Sequence, residues 1–344
     1  MAQVTVVVPI YNVEKYVRAC FESLLKQTSS DFIVLAVNDG SPDNSAQIIS
    51  EFTARYPDRI RSITKENGGY GSVLQLAIKE MDTPYFIVCD PDDTLEPEAV
   101  ETLLNLAQVS GADITIGAKM IMKEGSSIKE YDPSYNKQFT LLKSNRVYNR
   151  GAEEFDDLFF VNPSPHAKLY RREVARDIVF PEKTGYTDNL LFYISLLNSD
   201  KVIYTDKPLA NYLIDRTGNT MTDISYKAMN GQILVFRTIA EQAAKLENIP
   251  DIFWYRMFEA FKFMLYQTRR LNCTKEQYRE TLEYLGTFLE MVTAHHREVK
   301  PYYKKYAKTA VNERMRDEGL LNPSLMNSVY SGIVRRMTNE FEEK

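Results

Sequence analysis

The sequence predicts an α/β fold, a mostly parallel sheet with helices on both faces, followed by a helical C-terminal region. Three observations carry this. Short runs of branched and aromatic residues (4–10, 32–37, 60–64 and 85–89) read as buried strands. Each is followed by an amphipathic stretch, with connections short enough for successive βαβ units. After Ser225 the strand-like runs stop and long helical periodicities take over.

Taken in order, residues 4–10 form a strand that ends at the turn Pro9-Ile10-Tyr11-Asn12. Residues 14–27 then place Val17, Cys20, Phe21, Leu24 and Leu25 on one helical face. The strand at 32–37 runs into Asn38-Asp39-Gly40-Ser41-Pro42-Asp43-Asn44-Ser45, rich in turn formers and helix-capping residues. Ile48, Ile49, Phe52 and Tyr56 mark the next helix, and 60–64 a short strand. Asn67-Gly68-Gly69-Tyr70-Gly71-Ser72 leads into a helix with Val73, Leu76 and Ala77 on one side. The strand Tyr85-Phe86-Ile87-Val88-Cys89 ends in three carboxylates, Asp90, Asp92 and Asp93, stiffened by Pro91. Residues 97–108 are helical, with Gly111 placed to stop them. Residues 113–122 read as one or two strands, 123–151 as loops with a small helix, 163–172 as an extended piece and 188–198 as an apolar helix. Three helical patterns follow, at 226–246, 252–271 and 276–292, and then a basic, tyrosine-rich tail.

In a parallel sheet, ligands bind where the strands end at their carboxyl sides. Asn12, the 38–45 loop and the Asp90–Asp93 cluster therefore share one rim. Three like charges at one strand end serve no fold, and a divalent cation with oxygen ligands turns their repulsion into attraction. The alternative is a solvated acidic turn that caps the next helix at Leu95-Glu96-Pro97.

Composition narrows the class. A net charge of −5 over 344 residues argues against a general nucleic-acid binder. Three cysteines (Cys20, Cys89, Cys273) with no C-x-x-C pair leave no zinc site and no disulfide framework, and suit a reducing cytoplasm. Neither a leader nor a run of membrane-spanning length is expected, so the expected location is cytoplasmic, with peripheral contact at the inner face of a membrane as an option.

Val6-Val7-Val8-Pro9-Ile10-Tyr11-Asn12, Val37-Asn38-Asp39-Gly40-Ser41, Asn67-Gly68-Gly69 and Asp90-Pro91-Asp92-Asp93, in this order, resemble the signature of family 2 glycosyltransferases with the Rossmann-like GT-A fold. His166-Ala167-Lys168-Leu169-Tyr170-Arg171-Arg172, and Phe180-Pro181-Glu182 through Tyr186-Thr187-Asp188, are similar to that family's acceptor half. The resemblance covers about the first 220 residues. It implies a GT-A domain at 1–222, with a nucleotide-sugar half at 1–118 and an acceptor half at 119–222, before a helical region at 223–344.

The same resemblance implies an inverting, non-processive transfer from a UDP-sugar to a hydroxyl of a glycan or lipid-linked acceptor, of the bacterial polysaccharide type. Mn²⁺ or Mg²⁺ would be held by Asp92, with Asp90 and Asp93 as ligands or their immediate supports, to neutralise the leaving diphosphate. Asp39 would read the nucleotide base and Pro9 and Tyr11 would wall it, Asn12 and Ser41 would join them in binding the donor, and Asn67, Gly68 and Gly69 would let the backbone approach it. Asp188 stands where the family has its general base. His166, Lys168 and Arg216 are candidates for phosphate or acceptor, with Tyr212 and Thr220 in the same closing loop as Arg216.

Two positions depart from the family pattern. Asn38 replaces the first acid before Asp39, and Thr187 the first acid before Asp188. They keep open a GT-A scaffold that binds partners without turnover. A sugar-phosphate nucleotidyltransferase is the other alternative, although the Gly-rich loop with Arg expected after its first strand is absent. For the bland readings, Asp39 and Ser41 cap a loop, Asp188 caps its helix, Tyr11 packs in the core and His166 is structural. In the helical region, Phe253, Met257, Phe261, Met264 and Leu265 read as core or a homodimer face. Tyr302, Tyr303 and Tyr306 among the basic residues of 295–308 read as a solvated face or a contact with anionic lipid.

Overall fold

Every residue of strand β1 (Val4–Ile10) is buried, as a nearly continuous run of branched side chains requires. It sits between two parallel neighbours, β2 (Phe32–Asn38) and β4 (Tyr85–Val88). The computed structural model describes residues 2–215, 225–307 and 311–342. Two compact units emerge, Met1–Asn219 and Thr220–Lys344.

In the first unit, α1 (Val17–Leu25), α2 (Ser45–Arg55) and α3 (Tyr70–Glu80) follow β1, β2 and β3 (Ile60–Thr64) in turn. After β4 come the two-residue β5 (Thr94–Leu95), α4 (Ala99–Ser110), β6 (Ile114–Lys123), β7 (Lys129–Asp132) and β8 (Arg146–Asn149). A 3-10 helix (Glu153–Phe160) precedes β9 (Lys168–Arg171), α5 (Arg172–Ala175), α6 (Thr187–Leu197) and β10 (Lys201–Ile214). The main sheet order is β3-β2-β1-β4-β9-β6-β10-β5, with β7 on β6 and β8 on β10. Pairs among β1 to β4 are parallel, whereas β9 runs antiparallel between β4 and β6. Leu169 opposes Ile87, so β9 begins at the rim where β4 ends. That inserted strand carries His166 and Lys168 to the carboxylates.

Gly111, left-handed at φ 69°, ends α4 as expected. Elsewhere the structure differs from expectation. Residues 123–151 hold two short strands, β7 and β8, with no helix among them. Leu95 enters no helix but pairs with Ala210. The long strand β10 escapes the pattern because Asp206-Lys207-Pro208 breaks its apolar run; there the register shifts, which accommodates a proline lacking N–H.

The second unit begins with α7 (Tyr226–Ala243), α8 (Asp251–Thr268) and α9 (Lys275–Thr293), matching the three periodicities. The expected tail is instead three more helices, α10 (His296–Tyr306), α11 (Val311–Leu320) and α12 (Met326–Glu342). Phe253, Met257, Phe261, Met264 and Leu265 are buried, so this stripe is core and no dimer face. Tyr303 is buried, and Tyr302 and Tyr306 pack on Tyr255. The tyrosines thus hold α10 on α8. Asp317, fully buried, accepts from Tyr303 Oη at 3.1 Å and pairs with Lys262 at 2.7 Å and Arg316 at 3.1 Å.

Candidate active site

Four parallel strands bring Asn12, Asp39, the glycine segment and Asp90 to one rim. Two of its loops are stapled together. Ser41 Oγ accepts from Asn12 N at 2.7 Å and donates to Asp43 Oδ1 at 2.6 Å, and Asp43 Oδ2 accepts from Glu14 N at 2.8 Å. Glu14 in turn accepts from Asn44 N at 2.8 Å. Asn12 is left-handed at φ 55°, which an asparagine tolerates. Tyr11 stands 49% exposed beside buried Pro9, so it is a free aromatic face and not core. Asn38 Oδ1 accepts from Ser41 N at 2.9 Å, a capping task that an amide oxygen performs as well as an acid.

Asp39 is buried and heavily engaged. Oδ1 accepts from Lys65 Nζ at 2.7 Å and Gly68 N at 3.0 Å, and Oδ2 from Gly69 N at 2.8 Å. Its carboxylate therefore organises the Asn67-Gly68-Gly69 turn. The close approach at these glycines comes from the chain itself. A Cβ on Gly69 (φ 85°) would lie 3.0 Å from the Lys183 backbone, and Gly68 O accepts from Lys183 N at 2.6 Å. Lys183 and Tyr186, both left-handed, shape the segment that leads to Asp188.

At the end of β4 the structure gathers Asp90, Asp93 and His166, with ligand atoms within 4.8 Å of one another. Asp92 is outside that trio, but its charge acts on both Asp90 and His166. Asp93 is committed at both oxygens, Oδ2 lying 2.7 Å from His166 Nε2 and Oδ1 accepting from Leu213 N at 2.8 Å. Burial, reinforced by Lys119 and Lys168, holds His166 well below its usual range. The neutral ring donates from Nε2 to Asp93 and packs tilted against Tyr212, with ring centroids 4.1 Å apart, and Nδ1 is buried with no hydrogen-bond partner among the described residues. Burial, and then the charges of Asp93 and Asp92, push Asp90 well above the usual carboxylate range. This surplus of negative charge on oxygen donors fits a divalent cation.

Asp188, in the first turn of α6, is partly buried, and burial pushes it up to about 6, against the hydrogen bonds from Asn189 and the charge of Lys168. Its charge reaches Asp90 and Tyr70. Lys168 is fully buried, donates to Ser164 O at 2.5 Å, and is held well below the lysine range by burial and then Lys119. Ala167, between His166 and Lys168, is left-handed at φ 51°, a strain of about 1 kcal/mol for a side-chain-bearing residue. Arg216 and Thr220 lie outside the described residues.

Sequence reasoning missed Lys65, Tyr70, Lys119 and Asp132. Tyr70 Oη donates to Asp90 Oδ1 at 2.7 Å, and buried Lys119 pairs with Asp132 at 3.2 Å. Only Tyr70 carried a signal, its place directly after the glycines.

A sheet of this order, with carboxylates on its carboxyl rim and an antiparallel strand returning to it, is a GT-A fold. The profile of glycosyl transferase family 2 matches residues 5–179, about half of the chain, and the chain belongs to that family. It is 31% identical over 216 residues to the glycosyltransferase GlyA of Streptococcus pneumoniae serotype 4, covering 62% of this chain and 30% of GlyA. It is also 31% identical over 235 residues to the uncharacterized glycosyltransferase EpsJ of Bacillus subtilis, covering 65% of this chain and 64% of EpsJ. The chain thus spans less than two thirds of either relative. Residues 1–349 of S. aureus TarS, solved in complex with UDP-GlcNAc, share its fold at a TM-score of 0.73 and 20% identity, covering 100% of this chain and 92% of that one. No helix among the described residues is long and apolar enough to cross a membrane.

Proposed function

We propose that this chain transfers a sugar from a UDP-sugar to a hydroxyl of a glycan or lipid-linked acceptor, with inversion at the anomeric carbon. The observation that carries the reading is Asp188, a carboxylate at a helix N-terminus whose affinity for a proton is raised to about 6, within electrostatic reach of Asp90. A base of that strength is mostly ionised at neutral pH and takes the acceptor's proton far better than an ordinary aspartate. Asp39, through Gly68 and Gly69, shapes the wall against which the nucleotide lies, and Tyr11 offers an exposed ring for the base. Asp90 and Asp92 would hold Mn²⁺ or Mg²⁺, and Asp93 backs them, fixed by His166 and Leu213. When bound, the ion neutralises charge that grows on the departing diphosphate. Arg216 serves the phosphates or the acceptor, whereas buried His166 and Lys168 act from beneath, His166 by holding Asp93 and Lys168 through its charge on Asp188. The exposed Arg297, Lys300, Lys304 and Lys305 of α10 supply a surface for an anionic membrane carrying a lipid-linked acceptor. The UDP-GlcNAc complex of the TarS fragment supports the uridine donor.

Calorimetric titration with UDP and with GDP, each with and without Mn²⁺, tests this on wild type and Asp92→Ala. UDP binding that needs the metal, is not matched by GDP and collapses in the variant is the expected result. Binding indifferent to nucleotide, metal and mutation would leave the carboxylates as a capping turn. UDP-sugar hydrolysis then reports turnover, which a binding-only scaffold lacks.

A further inference from the structure

Residues 67–71 touch the supports of three carboxylates at once. Gly68 N and Gly69 N are held by Asp39 at 3.0 and 2.8 Å. Gly68 O accepts from Lys183 N at 2.6 Å, and a Cβ on Gly71 would lie 3.0 Å from Pro181 O and 3.1 Å from Thr187 Cγ2, so the segment also carries the approach to Asp188. Between these contacts, Tyr70 opens α3 and sends its hydroxyl to Asp90 Oδ1 at 2.7 Å. A carboxylate held at one oxygen by a phenol loses its freedom to rotate, and its other oxygen is the one left to face a ligand. Among the described residues, Tyr70 is the one whose side chain donates to the Asp90 carboxylate. Among the described residues no backbone N–H donates to that carboxylate, in contrast to Asp39 and Asp93.

We propose that Tyr70 is the positioning residue for Asp90: it holds Oδ1 and thereby presents Oδ2 to the divalent cation and the donor diphosphate. The inference rests on the family 2 reading of Asp90. Tyr70's place on the segment clamped by Asp39 also couples the orientation of Asp90 to the nucleotide wall.

Tyr70→Phe keeps the ring and removes only the hydroxyl. Mn²⁺ affinity in the presence of saturating UDP, read by calorimetry, is expected to fall about ten- to a hundredfold, the usual cost of losing a hydrogen-bond partner behind a metal ligand. UDP-sugar hydrolysis should fall at low Mn²⁺ and recover as Mn²⁺ is raised, with the donor KM at saturating metal unchanged, a pattern that a packing defect does not produce. In an Asp90→Asn background the same substitution should change Mn²⁺ affinity little, because its target is gone. Undiminished Mn²⁺ binding by Tyr70→Phe, or a loss just as large in the Asp90→Asn background, overturns the proposal while leaving the family reading intact. Wild-type protein that binds UDP but neither Mn²⁺ nor Mg²⁺ overturns the metal reading and this proposal with it.

Discussion

Replacing Asp188 by Asn separates a general base from a helix cap, because the two roles predict opposite changes in stability. Burial moves Asp188 from its ordinary 3.8 up to about 6. That gap corresponds to about 3 kcal/mol of preference for the neutral acid in the folded protein. The sign follows from proton binding. Between pH 3.8 and about 6 the folded state holds a proton that the unfolded chain has released, so stability falls as pH rises through this window and stays low above it. Asparagine carries no such cost. It forgoes the favourable meeting of a negative charge with the α6 N-terminus, worth about 0.3–1 kcal/mol. Without nucleotide or metal, Asp188→Asn should therefore be about 2 kcal/mol more stable than wild type at pH 8, a rise of roughly 4–8 °C in Tm for a unit of this size. At pH 4 the advantage should shrink to about 0.5 kcal/mol or less. Scanning calorimetry at the two pH values measures this, and UDP-sugar turnover measures the other arm. The variant's kcat should fall by about 10²–10⁴. Wild-type turnover should climb about tenfold per pH unit below 6 and level off above it. A variant less stable at every pH, with turnover intact, would refute the argument and leave Asp188 as a cap.

Three further outcomes follow from the same geometry. Asp39→Asn turns an amide N–H toward donors that now meet a carboxylate, and should cost about 1.5–3 kcal/mol in urea unfolding together with UDP affinity; an unchanged midpoint and affinity would leave the Asp39 clamp without energetic weight. Gly69→Ala places a Cβ 3.0 Å from Lys183 at φ 85°, and should lower Tm and reduce kcat by displacing the approach to Asp188; wild-type kinetics would show that the contact relaxes freely. In the helical unit, Asp317→Ala strands Lys262 and Arg316 and should destabilise by about 2–4 kcal/mol, checked by helical circular dichroism against denaturant.

What the sequence by itself determined lies within short windows. The runs that became β1, β2, β3 and β4, the helices between them, and α7 to α9 were legible because burial imposes a period on consecutive residues. The shared rim followed from that alternation, since parallel strands must all end on one side. So did the candidates Asn12, Asp39, Asp90 and the glycines, which sit at strand ends. Only the tertiary structure decided what each group touches. Asp93 is claimed by His166, 73 residues away, and by Leu213 N, 120 residues away. Asp90 is held by Tyr70, and the glycines receive Lys183 from the far half of the unit. The antiparallel insertion of β9 and the bulged β10 were likewise set by which strand edges remained to be paired. Periodicity encodes which face of an element is buried. A hydrogen bond between residues far apart in the chain has no period, and its partner is chosen only when the sheet assembles.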